Sequence, residues 1–417
     1  MTPTAAPDVI VVGAGPAGCA VSAYLGRAGH RVLLIDRAGV PRPRLCTHAL
    51  MPSALPVLAE LGVLDAIVAA GAQRWWGVRL SMEGTRIEAD LPRRGAYAPY
   101  GLSLRRHLLD PILFDAAART RGVETRLGWD AVRPLIEGGA VRGVLLRAPG
   151  GGEAEARARL VIAVDGRRSA LLAAVGGPAL TLPNRHVAWI AYVAGFPAEP
   201  RPKLEAFYHG GRAVSLLPSD GGLRVAGVVA PGNAWTSEVA AARMLAVMRA
   251  IPDLEARAAW ATVVSAPVAV RGLRNAVRFT ARAGIVPLGD AALQSDPAFG
   301  QGIAWALSGA RRLAGAVDLA LRGGGAGALV VPPSAARGPL AWPLTLGMSA
   351  FSAIPPGSLL ERLIVRGASQ SPRTTALAVR LACGFATAAP LDGHRSPTSF
   401  LRDVVAPNPD PSASHRP

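Results

Sequence analysis

The sequence predicts an α/β protein. A Rossmann-like domain assembled from discontinuous segments is joined to an antiparallel-sheet domain and a helical C-terminal region. Three observations predict it. The chain opens on an apolar strand, a Gly13-Ala14-Gly15-Pro16-Ala17-Gly18 turn, a helix and a second strand ending at Asp36. Two later apolar runs end in acidic turns, Asp165-Gly166 and Gly289-Asp290. Between these segments lie alternating apolar and polar stretches bounded by glycine turns, the pattern of antiparallel strands.

In order along the chain, Asp8–Val12 reads as a strand, Cys19–Arg27 as a helix and Arg31–Ile35 as the second strand. Pro52–Leu61 and Leu64–Gly71 read as helices. Gly77–Met82 and Arg86–Leu91 form a strand pair turning at Glu83-Gly84. Leu104–Arg121 is a long amphipathic helix with Leu108, Leu109, Ile112, Leu113 and Ala116 in one stripe. A three-strand meander follows: Val132–Ile136, Val141–Arg147 and Ala154–Val164. Val187–Ala194, Ala213–Leu217 and Leu223–Val229 are strands of a further antiparallel sheet. Ser237–Ala250 is a helix capped by Ser237, Ala283–Val286 a strand and Phe299–Leu321 a long helix. The domain division this gives is 1–75, 95–178 and 275–325 for the Rossmann-like domain, and 76–94 with 179–274 for the sheet domain. Residues 326–405 form the helical region and 406–417 a loose tail.

Composition narrows the function classes. Of 417 residues, 50% are hydrophobic and 18% charged, which excludes a disordered chain. The net charge of +17 invites a nucleic-acid reading. Its make-up argues against one: Lys203 is the only lysine, the arginines are scattered, and aromatic residues to interleave with them are few. Cys19, Cys46 and Cys383 have no disulfide or metal-ligand spacing, so no metal is expected and a reducing, cytoplasmic setting fits. Gly338–Leu360 is uncharged, but four prolines interrupt it. That argues against a transmembrane span and leaves peripheral contact with a lipid surface open.

The glycine turn carries the first chemistry. Gly13 permits the tight turn, Gly15 lets a pyrophosphate approach the backbone, and Gly18 lets helix and sheet pack closely. The helix N-terminus adds N–H groups and partial positive charge. Asp36 at the next strand end can accept from both ribose hydroxyls, and its charge opposes a 2′-phosphate, favouring FAD or NAD over NADP. The acid turns Asp165-Gly166-Arg167-Arg168 and Gly289-Asp290-Ala291-Ala292, with Asp296-Pro297-Ala298-Phe299-Gly300-Gln301-Gly302, complete the set. Together with the opening turn they resemble the three signatures of the FAD-dependent aromatic hydroxylase superfamily. That superfamily includes para-hydroxybenzoate-hydroxylase-like monooxygenases, geranylgeranyl-reductase-like enzymes and flavin halogenases.

The resemblance covers roughly residues 8–325 and implies FAD as cofactor. It implies that Asp290, beside Gly289, bonds the ribityl chain, and that Pro297, Gly300 and Gly302 bring a helix N-terminus to the flavin pyrimidine. Arg106, four residues before Asp110, is similar to the family's arginine that lies against FAD; Arg37 and Asp165 join the cofactor set. The loop Arg44-Leu45-Cys46-Thr47-His48 looks like one that lies over the isoalloxazine ring, which makes Cys46 and His48 the candidate catalytic residues. As alternatives, Cys46 is a small buried residue and His48 a loop hydrogen-bonder. His186 and His209 read as sheet residues, with His209 open to a ligand-facing role. Trp75, Trp76 and Trp189 read as core or as the lining of an apolar pocket.

Two departures stand out. Leu293 follows Gly-Asp-Ala-Ala where the family often has His, and Ser169-Ala170-Leu171-Leu172-Ala173 lacks the arginine usual a few residues after the Asp-Gly motif. No second glycine-rich βαβ unit is present, so electrons come from NAD(P)H binding transiently or through a separate flavin reductase. The tryptophan-type halogenase signature is absent and no lysine lies near the flavin motifs, which disfavours halogenation. The expected activity is monooxygenation of an apolar or aromatic small molecule, by hydroxylation or epoxidation through a flavin C4a-hydroperoxide, in secondary metabolism. The alternative is reduction of prenyl or polyketide-like double bonds.

Overall fold

The computed structural model describes residues 6–40, 46, 48–91, 93, 98–177, 179–183, 187–230, 235–271, 274–279, 282–295, 300–324 and 327–337, and five single positions between 358 and 367. Pro297, His186, Cys383, residues 338–357 of the uncharged Gly338–Leu360 segment and the tail fall outside the described residues.

Five parallel strands form the first sheet, in the order Ile285–Pro287, Leu160–Ala163, Val9–Val12, Val32–Asp36 and Val123–Leu127. Its central strands are continuous runs of Val, Ile and Leu because both faces are covered. Val9, Val11, Val32 and Leu34 face the helices Pro16–Arg27, Arg106–Ala118 and Gly302–Arg322. Ile10, Val12, Leu33 and Ile35 face an antiparallel three-stranded sheet of Asp130–Glu137, Ala140–Arg147 and Glu153–Arg157. Leu109, Leu113 and Ala117 recur every fourth residue on the buried face of the Arg106–Ala118 helix, as its stripe requires.

The expected single strand Ala154–Val164 is two strands in different sheets. Glu153–Arg157 ends the meander; the Arg159 N–H then donates to the Asp8 carbonyl, and Leu160–Ala163 enters beside Val9–Val12. The break lies where alternating Glu-Ala-Glu-Ala-Arg gives way to a wholly apolar Leu-Val-Ile-Ala, a change of period that marks passage from a half-exposed to a fully covered strand. Thr236, not Ser237, occupies the N-cap of the Ser237–Arg249 helix.

The second sheet has eight strands, among them Gly77–Met82, Thr85–Asp90, Ala188–Ala194, Leu204–His209, Arg212–Pro218 and Arg224–Val229. It is antiparallel except where Leu204–His209 pairs parallel with Gly77–Met82. Leu204–His209 is not among the expected strands, because charged Glu205 stands at an inward position. That carboxylate is fully buried and held by Arg79, Arg224 and Arg257, with Glu199 sharing all three. One face of the sheet, including Trp189, Phe207, Leu216 and Val228, lies under the Ser237–Arg249 helix; Trp189 stacks on Trp235 there. On the opposite face Ile190, Leu217 and Val225 pack into the core of the Rossmann-like domain.

A further three-stranded sheet joins the parallel and the eight-stranded sheets. Ala179–Pro183 leads into the large sheet, Arg274–Arg278 leads back, and these pair with each other; Arg274–Arg278 also pairs with Leu293–Gln294. Among the described residues no helix is long and apolar enough to cross a membrane.

Candidate functional site

Four adjacent parallel strands release their chains at one edge of the first sheet. They lead into Gly13, Asp36, Asp165 and Gly289-Asp290, so motifs distant in sequence share one crevice. The carboxyl ends of parallel strands are where such folds bind dinucleotides.

The glycines stand where a tight turn, an open stretch of backbone and a close helix contact need them. Gly13 has φ +116°, and a Cβ there would lie 2.4 Å from the Val164 carbonyl oxygen. A Cβ on Gly18 would lie 1.8 Å from the Gly13 carbonyl oxygen, so helix and turn touch. At Gly15 nothing lies within 4 Å, the open space a phosphate group requires. The helix starts at Pro16 with no side-chain cap and no acidic residue in its first turn, leaving its N–H groups to a ligand. Asp36 is almost fully buried and accepts from the N–H groups of Ala14 (2.7 Å) and Ala38 (2.9 Å), which ties the acid to the turn. Arg37, Arg167, Arg168 and Asp290 are exposed at the same edge.

Asp165 follows the Leu160–Ala163 strand and accepts from Ala170 N–H at 3.1 Å, while Ser169 caps the helix Ala170–Val175. Its Oδ1 is buried with no hydrogen-bond partner among the described residues, and burial raises its pKa. An orphaned acceptor in a strand-end crevice fits a ligand hydroxyl. Gly300 has φ +62°, and a Cβ there would meet Met51 Cε at 2.8 Å and Ala49 Cβ at 3.3 Å. Gly302 opens the long helix, and a Cβ on it would meet nothing within 4 Å. These residues fit FAD: a bare glycine turn, an acid at the second strand end, and two uncapped helix starts.

Against Gly300 packs the segment that holds Cys46 and His48. Arg106 forms a two-pronged ion pair with Asp110, at 2.5 and 2.8 Å, and also hydrogen-bonds Cys46. His48 is fully buried with φ +58°, in the left-handed region few residues enter. Its Nε2 lies 2.5 Å from the hydroxyl of Tyr192 on the large sheet, the rings 7° from parallel. Its Nδ1 has no partner among the described residues. Burial, then the nearby charge of Arg106, lowers its pKa to about 3, with Arg105 and His107 adding and Asp220 opposing. Burial raises the Tyr192 pKa to about 12, although Arg105 pulls the other way. Both groups are therefore neutral at pH 7.

Arg105 lies over the Tyr192 ring at 5.8 Å and is clamped by Asp220, which accepts from its backbone N–H at 2.8 Å and its Nε at 2.6 Å. Tyr192, Arg105 and Asp220 carry no sequence motif. The available signal was the apolar strand Ala188–Ala194 with one tyrosine on the face opposite Trp189. Other candidates lie elsewhere. Trp75 is buried and bonded to the Leu102 carbonyl, Trp76 packs on Tyr100, and His209 pairs with Glu83 at a hairpin end. Lys203 is paired with Glu88 and Asp90. Among the described residues no group of His, Cys, Asp and Glu could hold a metal ion.

Fold and crevice define a dinucleotide-binding α/β protein with a parallel sheet and a large antiparallel sheet. The family described as FAD binding domain matches residues 6–346, and the chain belongs to that family. Menaquinone reductase of Mycobacterium tuberculosis (strain ATCC 25618 / H37Rv) is 38% identical over 164 residues, 39% of this chain and 38% of that protein. The 6-methylpretetramide 4-monooxygenase of Streptomyces rimosus is 35% identical over 197 residues, 45% of each chain. The chain thus matches less than half the length of these relatives. The crystal structure of p-nitrophenol 4-monooxygenase PnpA from Pseudomonas putida DLL-E4 superposes with a TM-score of 0.75 at 20% identity, covering 94% of this chain and 99% of that one, a likeness of fold. FAD is the cofactor of this chain, and NAD(P)H is the electron donor typical of the family.

Proposed function

We propose that the chain is an FAD-dependent monooxygenase of an apolar or aromatic small molecule. The observation that carries this reading is the neutral contact of buried His48 with Tyr192 of the eight-stranded sheet, beside Gly300 of the third cofactor motif. Bound FAD would supply electrons and activate dioxygen. Gly13, Gly15, Gly18 and Asp36 would hold its adenosine and pyrophosphate, and Asp165, Gly289, Asp290, Gly300 and Gly302 the flavin half. Arg106, fixed by Asp110, would lie against the cofactor, with Cys46 at its side.

His48 is too strongly desolvated to act as a cationic acid. A bare lone pair on Nδ1 costs less than a buried orphan N–H, which favours the proton on Nε2, donated to the Tyr192 oxygen. The phenolic hydrogen of Tyr192 is then available to an oxygen on the substrate. His48 in this reading orients Tyr192 and helps exclude water from the junction.

The similarity to a menaquinone reductase supports a second reading, reduction of an apolar double bond. Oxygen dependence separates the two. FAD-loaded protein would be given NADH or NADPH with fused-ring phenols, prenylated quinones and linear alkenes, in air and anaerobically. The monooxygenase reading expects oxygenated product in air only; saturated product formed without oxygen supports the reductase reading instead.

A further inference from the structure

We propose that Arg278 positions FAD by fixing the distance between the two flavin-side loops. Arg278 ends the strand Arg274–Arg278, which returns from the large sheet. Its backbone N–H donates to the Ala292 carbonyl at 3.0 Å, so the main chain is already satisfied. The guanidinium then reaches two loops at once. Nη2 donates to the Arg167 carbonyl at 2.9 Å, in the Asp165 loop, and Nη1 donates to the Ala291 carbonyl at 3.0 Å, in the Asp290 loop, with the Asp290 carbonyl at 3.5 Å.

The two loops leave neighbouring parallel strands, and FAD has to engage both. Their register is fixed by the ladder only up to Ala163 and Pro287. Beyond those residues a fork with two fixed nitrogens sets their spacing in a way a single ammonium cannot. The same side chain ends the strand that connects the substrate-side sheet to the cofactor crevice, so it is a positioning residue at the joint between the domains. This rests on the assignment of the Asp165 and Asp290 loops to FAD.

The test uses the full chain stripped of FAD and titrated with FAD, read by flavin fluorescence quenching and by thermal melting. Arg278→Ala is expected to melt near the parent as apoprotein, to bind FAD about ten- to a hundredfold more weakly, and to lose most of the FAD-induced rise in Tm. Arg278→Lys, keeping charge but one point of attachment, falls between, and millimolar guanidinium restores binding in Arg278→Ala. An altered visible spectrum of the bound flavin would accompany the loss. Parent-like FAD binding in Arg278→Ala and Arg278→Lys overturns the proposal. So does a fall in apoprotein stability with FAD binding of the folded fraction unchanged. Asp290→Ala serves as the control: if it too binds FAD like the parent, the site assignment itself fails, whereas weak binding by Asp290→Ala alone isolates the failure to Arg278.

Discussion

His48, on the segment packed against Gly300, and Tyr192, on the eight-stranded sheet, meet through Nε2 and a hydroxyl 2.5 Å apart. Tyr192 is uncharged at pH 7 by its ordinary chemistry, whereas His48 is held uncharged because the fold closes over it. Tyr192→Phe removes the hydroxyl while keeping the ring. It is expected to retain FAD and to slow substrate turnover roughly a hundredfold, the scale of a lost proton donor. Steady-state kinetics beside an FAD titration measure both effects, and unchanged turnover would return Tyr192 to a packing role.

The depressed His48 pKa gives a stability signature. Its folded value of about 3 lies below the unfolded value of 6.5, so the fold favours the uncharged imidazole. That stability is fully present above pH 6.5 and is lost as pH falls from 6.5 toward 3. Between pH 6.5 and 5, before most carboxylates titrate, the parent Tm should fall more steeply than that of His48→Gln. Parallel melting profiles over this window would contradict the neutral assignment.

Arg106 and Asp110 separate structure from function. Asp110→Asn leaves a buried guanidinium without its carboxylate and should cost about 3–5 kcal/mol. Replacing both, as Arg106→Met with Asp110→Leu, should restore much of the denaturant midpoint yet leave FAD binding weakened. Recovery of FAD binding together with stability would make the pair purely structural.

Glu205 supplies the converse case. Three arginines converge on it away from the cofactor loops. Glu205→Gln should lower stability by about 3–5 kcal/mol in urea unfolding. FAD affinity of the folded protein should not change.

The opening turn should tolerate nothing larger than glycine at position 18, where a Cβ would collide with the Gly13 carbonyl. Gly18→Ala is expected to purify with little flavin, and Asp36→Ala with reduced occupancy, both read from the flavin absorbance per protein. Full yellow occupancy in both would refute the placement of the adenosine half.

The cofactor crevice was legible in the sequence because each part has a local cause. Gly13, Gly18 and Gly300 are needed where a Cβ would strike its surroundings, and Asp36, Asp165 and Asp290 stand at or just beyond strand ends. The contacts made between distant segments were not. Tyr192, Arg105, Asp220 and Arg278 meet their partners across long stretches of chain, and no spacing rule connects them. Likewise Leu204–His209 hid behind Glu205, whose burial makes sense only once Arg79, Arg224 and Arg257 converge on it.

The measurement that bears most directly on monooxygenase chemistry is the mass of the product formed under isotopically heavy dioxygen. FAD-loaded protein, NAD(P)H and a substrate it turns over would be incubated under that gas, with Tyr192→Phe alongside. Product carrying one heavy oxygen atom, formed much more slowly by Tyr192→Phe, is the predicted result. Product that forms at the same rate without oxygen and gains hydrogen instead would contradict it.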